Sequence, residues 1–344
     1  MTSVYVTEAR AVVRQEAHRL VVTVDERTAD GQERRRHLAD IVPHQVELLA
    51  LVGDAHITSD ATRFCLGHGI QVAWFGWNGG FLGRLVPESP RNGDLRLAQY
   101  TAYCDDPSRL ALARAMVSAK VAGAGAVLRR ARSNRPGRPV FAAAIAHLER
   151  LVAMAEAVHD VDVLLGIEGN AARVYFAALA QAFSGAIRFS GRARRPPPDP
   201  ANALLSFGYV LLGNLIAGML EARGLDPAIG FLHEPRQGRA SLALDLLEEF
   251  RHPVVDRFVL RIANLNILAP ADFEADGEEQ GGVRLGPAAR KRFLAEWETL
   301  LAVPQREKGR EDRATVRQLL ARQVDRLAAA LRSGEPYRPF VPAA

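Results

Sequence analysis

The chain has 344 residues, 48% of them hydrophobic, and carries 44 Lys and Arg against 39 Asp and Glu, a formal charge of +5. Its length allows two domains with real cores, and the positive balance favours a polyanionic partner. Two cysteines, Cys65 and Cys104, exclude a disulfide framework and a cysteine-ligated zinc site.

Only Lys120, Lys291 and Lys308 are lysines. Arginine forks suit phosphate, although a genome rich in arginine codons explains the skew equally well. No secretory signal region opens the chain. No apolar run approaches the roughly 18–20 residues of a membrane span. The closest, 203–220, is interrupted by Ser206, Gly208, Gly213, Asn214 and Gly218, which suit a buried helix. A cytoplasmic protein without a membrane partner is expected.

Residues 1–86 read as a small, mainly β domain. VYV (4–6), AVVRQ (11–15), HRLVVTVDE (18–26), ERRRHLADIV (33–42) and ELLALVG (47–53) are short runs rich in β-branched and apolar residues, and Asp30-Gly31 signals a hairpin turn. TSDATRFCLGHG (58–69) predicts a short helix capped by Thr58 or Ser59 and ended by Gly67 or Gly69. IQVAWFG (70–76) and FLGRLVP (81–87) pair around Asn78-Gly79-Gly80. The histidines here, His18, His37, His44, His56 and His68, show no ligand spacing.

Residues 87–94, PESPRNGD, read as a linker. From 95 to 335 helical spacing dominates, giving an α+β chain in which a small N-terminal mainly-β domain precedes a larger all-α catalytic domain. Helices are expected over 95–104, 107–134, 140–158 and 161–183, the last starting near Asp162 or Gly166. In 190–202, Arg192, Arg194 and Arg195 precede three prolines, Pro196 to Pro198, which hold the segment extended and leave the arginines standing off the core. Such an arm suits a phosphate backbone, and a solvated linker is the alternative. Further helices are expected over 257–268, 286–303 and 314–334. An acidic loop (274–282) interrupts them, and an extended tail, 336–344, ends the chain.

Three acids and a histidine stand out. Glu168 lies between Gly166 and Gly169 in an apolar helix, where an ionised carboxylate needs compensation. Alternatively it is a helix-start acid favoured by the dipole. His233 precedes a basic turn and then a helix in which Asp245 and Glu248 are i and i+3, on one face. Glu249 falls on the wetter side. Two acids and a histidine brought in by a turn make a mixed carboxylate–imidazole site suited to Mg²⁺ or Mn²⁺, the ions that act on phosphodiesters. Arg236, Arg239 and Arg251 are close enough in sequence to hold a nucleic-acid backbone.

The motifs IEGNAARVYF (167–176), RRPPPDPANALLSFGYVLL (194–212) and GFLHEPRQGRASLALDLLEEFRHPVVDR (230–257), in this order behind a β domain and a linker, resemble the CRISPR adaptation integrase, the universal spacer-acquisition subunit of CRISPR–Cas systems. The resemblance implies that Glu168, His233 and Glu248 bind the metal and that Asp245 supports them by hydrogen bonding. It implies an endonuclease and integrase in which 3′-hydroxyls of a short foreign duplex attack phosphodiesters of the CRISPR array. It also implies a homodimer, contacts with double-stranded DNA and a small ferredoxin-like adaptation protein, and work alongside the iron–sulfur adaptation nuclease. The β domain would then serve dimer and partner contacts. Two other readings compete: a metal-dependent nuclease that never joins strands, and a helical DNA-binding protein without chemistry.

Overall fold

The computed structural model describes residues 2–27, 33–77, 79–88, 92–135, 137–193, 196–275 and 282–343. The expected turn residues Asp30, Gly31 and Asn78, the arm residues Arg194 and Arg195, and most of the acidic loop lie outside the described residues. The chain divides into two compact units, residues 1–90 with 290–298, and residues 91–289 with 299–344.

The first unit contains β1 (Thr2–Val6), β2 (Ala11–Glu16), β3 (Arg19–Arg27), β4 (Glu33–Ile41), β5 (Val46–Val52), β6 (His56–Ile57), α1 (Ser59–Gly67), β7 (Gln71–Phe75) and β8 (Phe81–Leu85). They form two four-stranded sheets, ordered β1-β5-β7-β8 and β4-β3-β2-β6. β1, β5 and β7 run parallel, and β8 returns antiparallel to β7. In the second sheet β2, β3 and β4 are antiparallel neighbours and β6 lies parallel to β2.

β5 is nearly all apolar because a central parallel strand is covered on both faces. Its Leu49 and Leu51 pack with Val13, Leu20, Ile70 and Val72, and with Ala61 and Cys65 from α1. Thr58 caps α1 as expected, its hydroxyl accepting from the Ala61 N–H at 3.3 Å. Gly53 is obligatory, since its φ of +75° is left-handed and a Cβ there would run into the Trp77 indole.

The segment Arg290–Glu298 also belongs to this unit, although the sequence reading assigned it to the helical domain. Phe293 and Trp297 are buried, Lys291 Nζ meets Glu8 Oε2 at 2.6 Å, and Glu298 Oε2 accepts from the Ser3 N–H at 3.3 Å.

The second unit contains α2 (Gly93–Cys104), α3 (Asp106–Asn134), α4 (Pro139–Ala157), α5 (Val161–Ala180), α6 (Pro200–Arg223), α7 (Ser241–Phe250), α8 (Arg257–Asn264), the two ends of α9 (Pro287–Ala302), and α10 (Val316–Ser333). It is not wholly helical, because β9 (Phe273–Ala275) pairs with β10 (Val283–Leu285), and β11 (Pro304–Arg306) with β12 (Arg313–Thr315). α3 is the axis of this unit. It is buried continuously from Met116 to Val121, and α4, α5 and α7 pack around it. A helix covered on all sides loses the apolar stripe of a surface helix.

α5 starts beside Asp162, the earlier of the two expected positions. Asp160 caps it by accepting from the Val163 N–H at 3.0 Å, so Glu168 sits two turns into the helix and the helix-start explanation for it fails. Between α7 and α8 the chain passes through one π-type turn, Arg251–Asp256, at Pro253, which has no N–H to donate.

Glu249 corrects another expectation: it is fully buried. The extended tail covers it, with the Tyr337 hydroxyl donating to Oε1 at 2.6 Å and the Phe340 N–H to Oε2 at 2.7 Å, while Phe340 stacks on Phe250 at 4.6 Å. Burial pushes the Glu249 carboxyl up to about 8 against the pull of those two hydrogen bonds. Among the described residues, α3, α5 and α6 are long and apolar enough to cross a membrane by length and composition alone, which also corrects the sequence reading. Within the fold, 67% of the apolar window is buried in α3 and α6, and 33% in α5.

Glu298 offers a test of the first unit. Burial, opposed by hydrogen bonds from Ser3 and Tyr5, pushes its carboxyl from the ordinary 4.5 up to about 7. Between those values the folded state binds more protons than the unfolded one, so stability falls as pH rises through the window. In chemical denaturation, Glu298→Gln should gain on the wild type by about 1–3 kcal/mol from pH 4.5 to pH 7. A constant difference between the two curves would show that Glu298 ionises normally.

Candidate active site

α3, α5 and α7 each bring one charged side chain to a common point. Lys120 on α3 is buried among apolar neighbours, which a lone ammonium could not tolerate. Its Nζ contacts Glu168 Oε1 from α5 and Glu248 Oε2 from α7, the latter at 2.7 Å. Two carboxylates that are eighty residues apart in sequence therefore meet around one cation.

Arg251 adds a second charge, its Nη1 donating to Glu248 Oε1 at 3.0 Å and Oε2 at 3.2 Å. Burial alone would push the Glu248 carboxyl up, but Lys120 and then Arg251 outweigh it and hold the group well below the usual carboxylate range. His233 adds the smallest part of this lowering, which puts its imidazole within electrostatic range of Glu248 but not in contact with it.

The imidazole of His233 is set by Asp245, which is fully buried on α7. Asp245 accepts from the backbone N–H groups of Phe231 at 2.5 Å, Leu232 at 3.0 Å and His233 at 2.9 Å. It also accepts from His233 Nδ1 at 2.7 Å, which leaves Nε2 as the nitrogen with a free lone pair. Gly230 is required at this turn because a Cβ would fall 2.8 Å from Asp245 Oδ2 and from the His233 carbonyl oxygen.

Two further residues hold the same loop. Gln99 on α2 is fully buried, and its Nε2 donates to the carbonyls of Asp226 at 2.8 Å and Ile229 at 2.9 Å. From α3, Arg109 Nε donates to the Phe231 carbonyl at 3.1 Å.

Behind Glu248 lies a buried polar network. The Arg251 guanidinium covers the Tyr209 ring at 4.2 Å, and the Tyr209 hydroxyl donates to Asp256 Oδ1 at 2.5 Å. Asp256 Oδ2 accepts from the Tyr175 hydroxyl at 2.9 Å and from His252 Nδ1 at 2.7 Å. Burial lowers the His252 imidazole despite its Asp256 partner, and raises the Tyr209 and Tyr175 hydroxyls well above the ordinary tyrosine value. The hydrogen bonds converging on Asp256 tie together the elements that share them, here α5, α6 and the π-type turn.

The structure thus brings together Glu168, Glu248, His233 and its support Asp245. As they stand, no three His, Cys, Asp or Glu side chains among the described residues are arranged to hold a metal ion, and the Lys120 ammonium lies between the two glutamates. The donor set nevertheless suits a hard divalent cation in kind: two carboxylates already sharing a cation, and an imidazole nitrogen oriented by a carboxylate.

The arginines fare differently. Arg236 is exposed and Arg239 half-buried on the turn after His233. Arg251 is buried and spent on Glu248, so it is not a surface contact. Arg192 also corrects the sequence reading. It does not stand off the core but turns inward, donating to Asn202 Oδ1 at 2.9 Å and Ser206 Oγ at 3.1 Å, with its guanidinium 5.4 Å from the Tyr209 ring.

Lys120, Arg109, Gln99, Tyr209 and Asp256 were missed from sequence. Only Lys120 left a signal, as one of three lysines in the chain and the one embedded in an apolar helix.

A family model described as CRISPR associated protein Cas1 matches residues 4–299. A CRISPR-associated endonuclease Cas1 of Rhodospirillum rubrum is 35% identical over 353 aligned positions, covering 99% of this chain and 98% of the relative. A Geobacter sulfurreducens fusion of the exonuclease Cas4 with the endonuclease Cas1 is 36% identical over 304 positions, and the match spans 86% of this chain but 52% of the fusion. Among solved structures, a Cas1 protein from Thermotoga maritima superposes with a TM-score of 0.78 at 27% identity, covering 97% of each chain.

Asp245 is the sharpest structural test of this site. Asp245→Asn keeps the shape but opposes four donors with one acceptor oxygen, so unfolding free energy should fall by about 1–3 kcal/mol in chemical denaturation. Asp245→Ala, which strands three buried N–H groups, should cost about 3–5 kcal/mol. Wild-type stability in both variants would mean that the loop is held by Gln99 and Arg109 alone.

Proposed function

Because the chain belongs to the Cas1 family of CRISPR-associated proteins, we propose that it is a metal-dependent DNA endonuclease and integrase that inserts short foreign duplexes into a CRISPR array. The carrying observation is the meeting of Glu168 and Glu248 around one cation, together with a His233 imidazole oriented by Asp245. In this reading the carboxylates of Glu168 and Glu248 and Nε2 of His233 hold Mg²⁺ or Mn²⁺. When bound, such an ion neutralises charge on a scissile phosphate and activates the attacking oxygen.

The protein's own groups do the rest. Asp245 keeps the His233 proton on Nδ1 and so leaves the Nε2 lone pair free to bind. Lys120 and, after it, Arg251 keep Glu248 ionised within an apolar interior. In this reading Arg236 and Arg239, on the turn that follows His233, hold the DNA backbone, and the exposure of Arg236 supports it. Exchange of one phosphodiester for another by a 3′-hydroxyl needs no nucleotide triphosphate.

The partners follow from the same reading. They are a second copy of the chain, a small ferredoxin-like adaptation protein, and an iron–sulfur nuclease of adaptation. The fusion of an exonuclease to the Geobacter sulfurreducens relative supports the last.

The test uses a labelled short duplex with free 3′-hydroxyls, a supercoiled plasmid carrying a repeat array, and Mn²⁺. Label should become joined to plasmid with wild-type protein and its adaptation partner. It should fall on the order of 100-fold or more in His233→Ala and vanish in EDTA. Nicking without joining would support a hydrolytic nuclease instead. Undiminished joining in His233→Ala would remove His233 from the site.

A further inference from the structure

Lys120 has no place in a three-ligand metal site, yet it is the residue on which both glutamates converge. Its side chain is 6% exposed, comparable with Glu248 at 6%, and its ammonium engages Glu168 Oε1 and Glu248 Oε2, the atoms a metal would need. Local formal charge is already balanced: Glu168 and Glu248 bring two negative charges, Lys120 and Arg251 two positive ones. A divalent ion placed between the same carboxylates would add two charges beside a buried ammonium, where screening is weak. An ammonium already on these oxygens therefore opposes a divalent ion at the same place.

We propose that Lys120 is a positioning residue that competes with the metal: it holds Glu168 and Glu248 together before the ion arrives, and the ion enters by displacing the ammonium from them. This rests on the metal reading of the site. In the metal-free protein Lys120, on α3, keeps the carboxylates of α5 and α7 drawn together, where unpaired charges would force them apart. The cost is lowered metal affinity, because each binding event must break two ion pairs. Arg251 does not play this part, since its guanidinium is fixed over the Tyr209 ring and engages Glu248 alone of the two glutamates.

The experiment is a Mn²⁺ titration of the full chain, with free Mn²⁺ read by its electron paramagnetic resonance signal. Wild type, Lys120→Met, Lys120→Arg and His233→Ala are compared. Lys120→Met should bind Mn²⁺ at least about tenfold more tightly than wild type, because the competing charge is gone, while Lys120→Arg should stay near wild type. A residue that merely braced the helices could not raise affinity when removed. Affinity in Lys120→Met that is unchanged or weaker overturns the proposal while leaving the metal reading intact. Wild-type binding that is absent, or unaffected by His233→Ala, defeats the metal reading and the proposal with it.

A second measurement does not depend on the folding of Lys120→Met. Lys291→Arg with Lys308→Arg leaves Lys120 as the sole lysine, so a ¹⁵N-lysine label reports one ammonium group. Its resonance should shift and its proton exchange should quicken on addition of Mg²⁺. A resonance unmoved at saturating Mg²⁺ overturns displacement.

Discussion

Carboxylates buried in an apolar helical bundle stay ionised only if positive charge is buried with them. In this protein the second unit is built around that requirement. Lys120 sits on the central helix, and through its ammonium α3 is tied to α5 at Glu168 and to α7 at Glu248. Arg251 adds the second counter-charge from the π-type turn, and its own position is fixed by Tyr209 and, through Tyr209, by Asp256. The charge cluster and the helix packing around α3 therefore specify each other, so that misplacing one of these helices leaves a buried charge without its partner.

The histidine is delivered by a different device. Residues 226–233 form no regular element, so their backbone groups need partners from outside. Asp245 supplies them for Phe231, Leu232 and His233, Gln99 for Asp226 and Ile229, and Arg109 for Phe231. One carboxylate thus sets both the path of the loop and the tautomer of the imidazole at its end. A site on an irregular segment acquires the rigidity of the helices that clamp it.

Much of this was legible in the sequence, and the limits have physical causes. Strands and helices followed from alternation and helical spacing, because burial imposes those periods on the residues that face a core. The parallel pairing of β1 with β5 was not legible, since the residues between them carry no mark of which strands they join. Glu168, His233, Asp245 and Glu248 stood out because polar residues in apolar surroundings demand a reason. Lys120 did not, because the acids that explain it lie 48 and 128 positions away. Glu249 was misread as wet because its cover comes from Tyr337 and Phe340 at the far end of the chain. Arg192 and Arg251 were misread as surface contacts for the same reason, their partners being invisible to local pattern.

The central claim is that His233 and the two glutamates share one metal ion. Pulsed electron paramagnetic resonance of the Mn²⁺-loaded protein reads this directly, because a bound imidazole nitrogen modulates the electron spin echo. One ¹⁴N coupling is expected in the wild type, lost in His233→Ala and retained, with weaker binding, in Glu168→Gln. Mn²⁺ bound without nitrogen coupling, or a coupling that survives in His233→Ala, would contradict it.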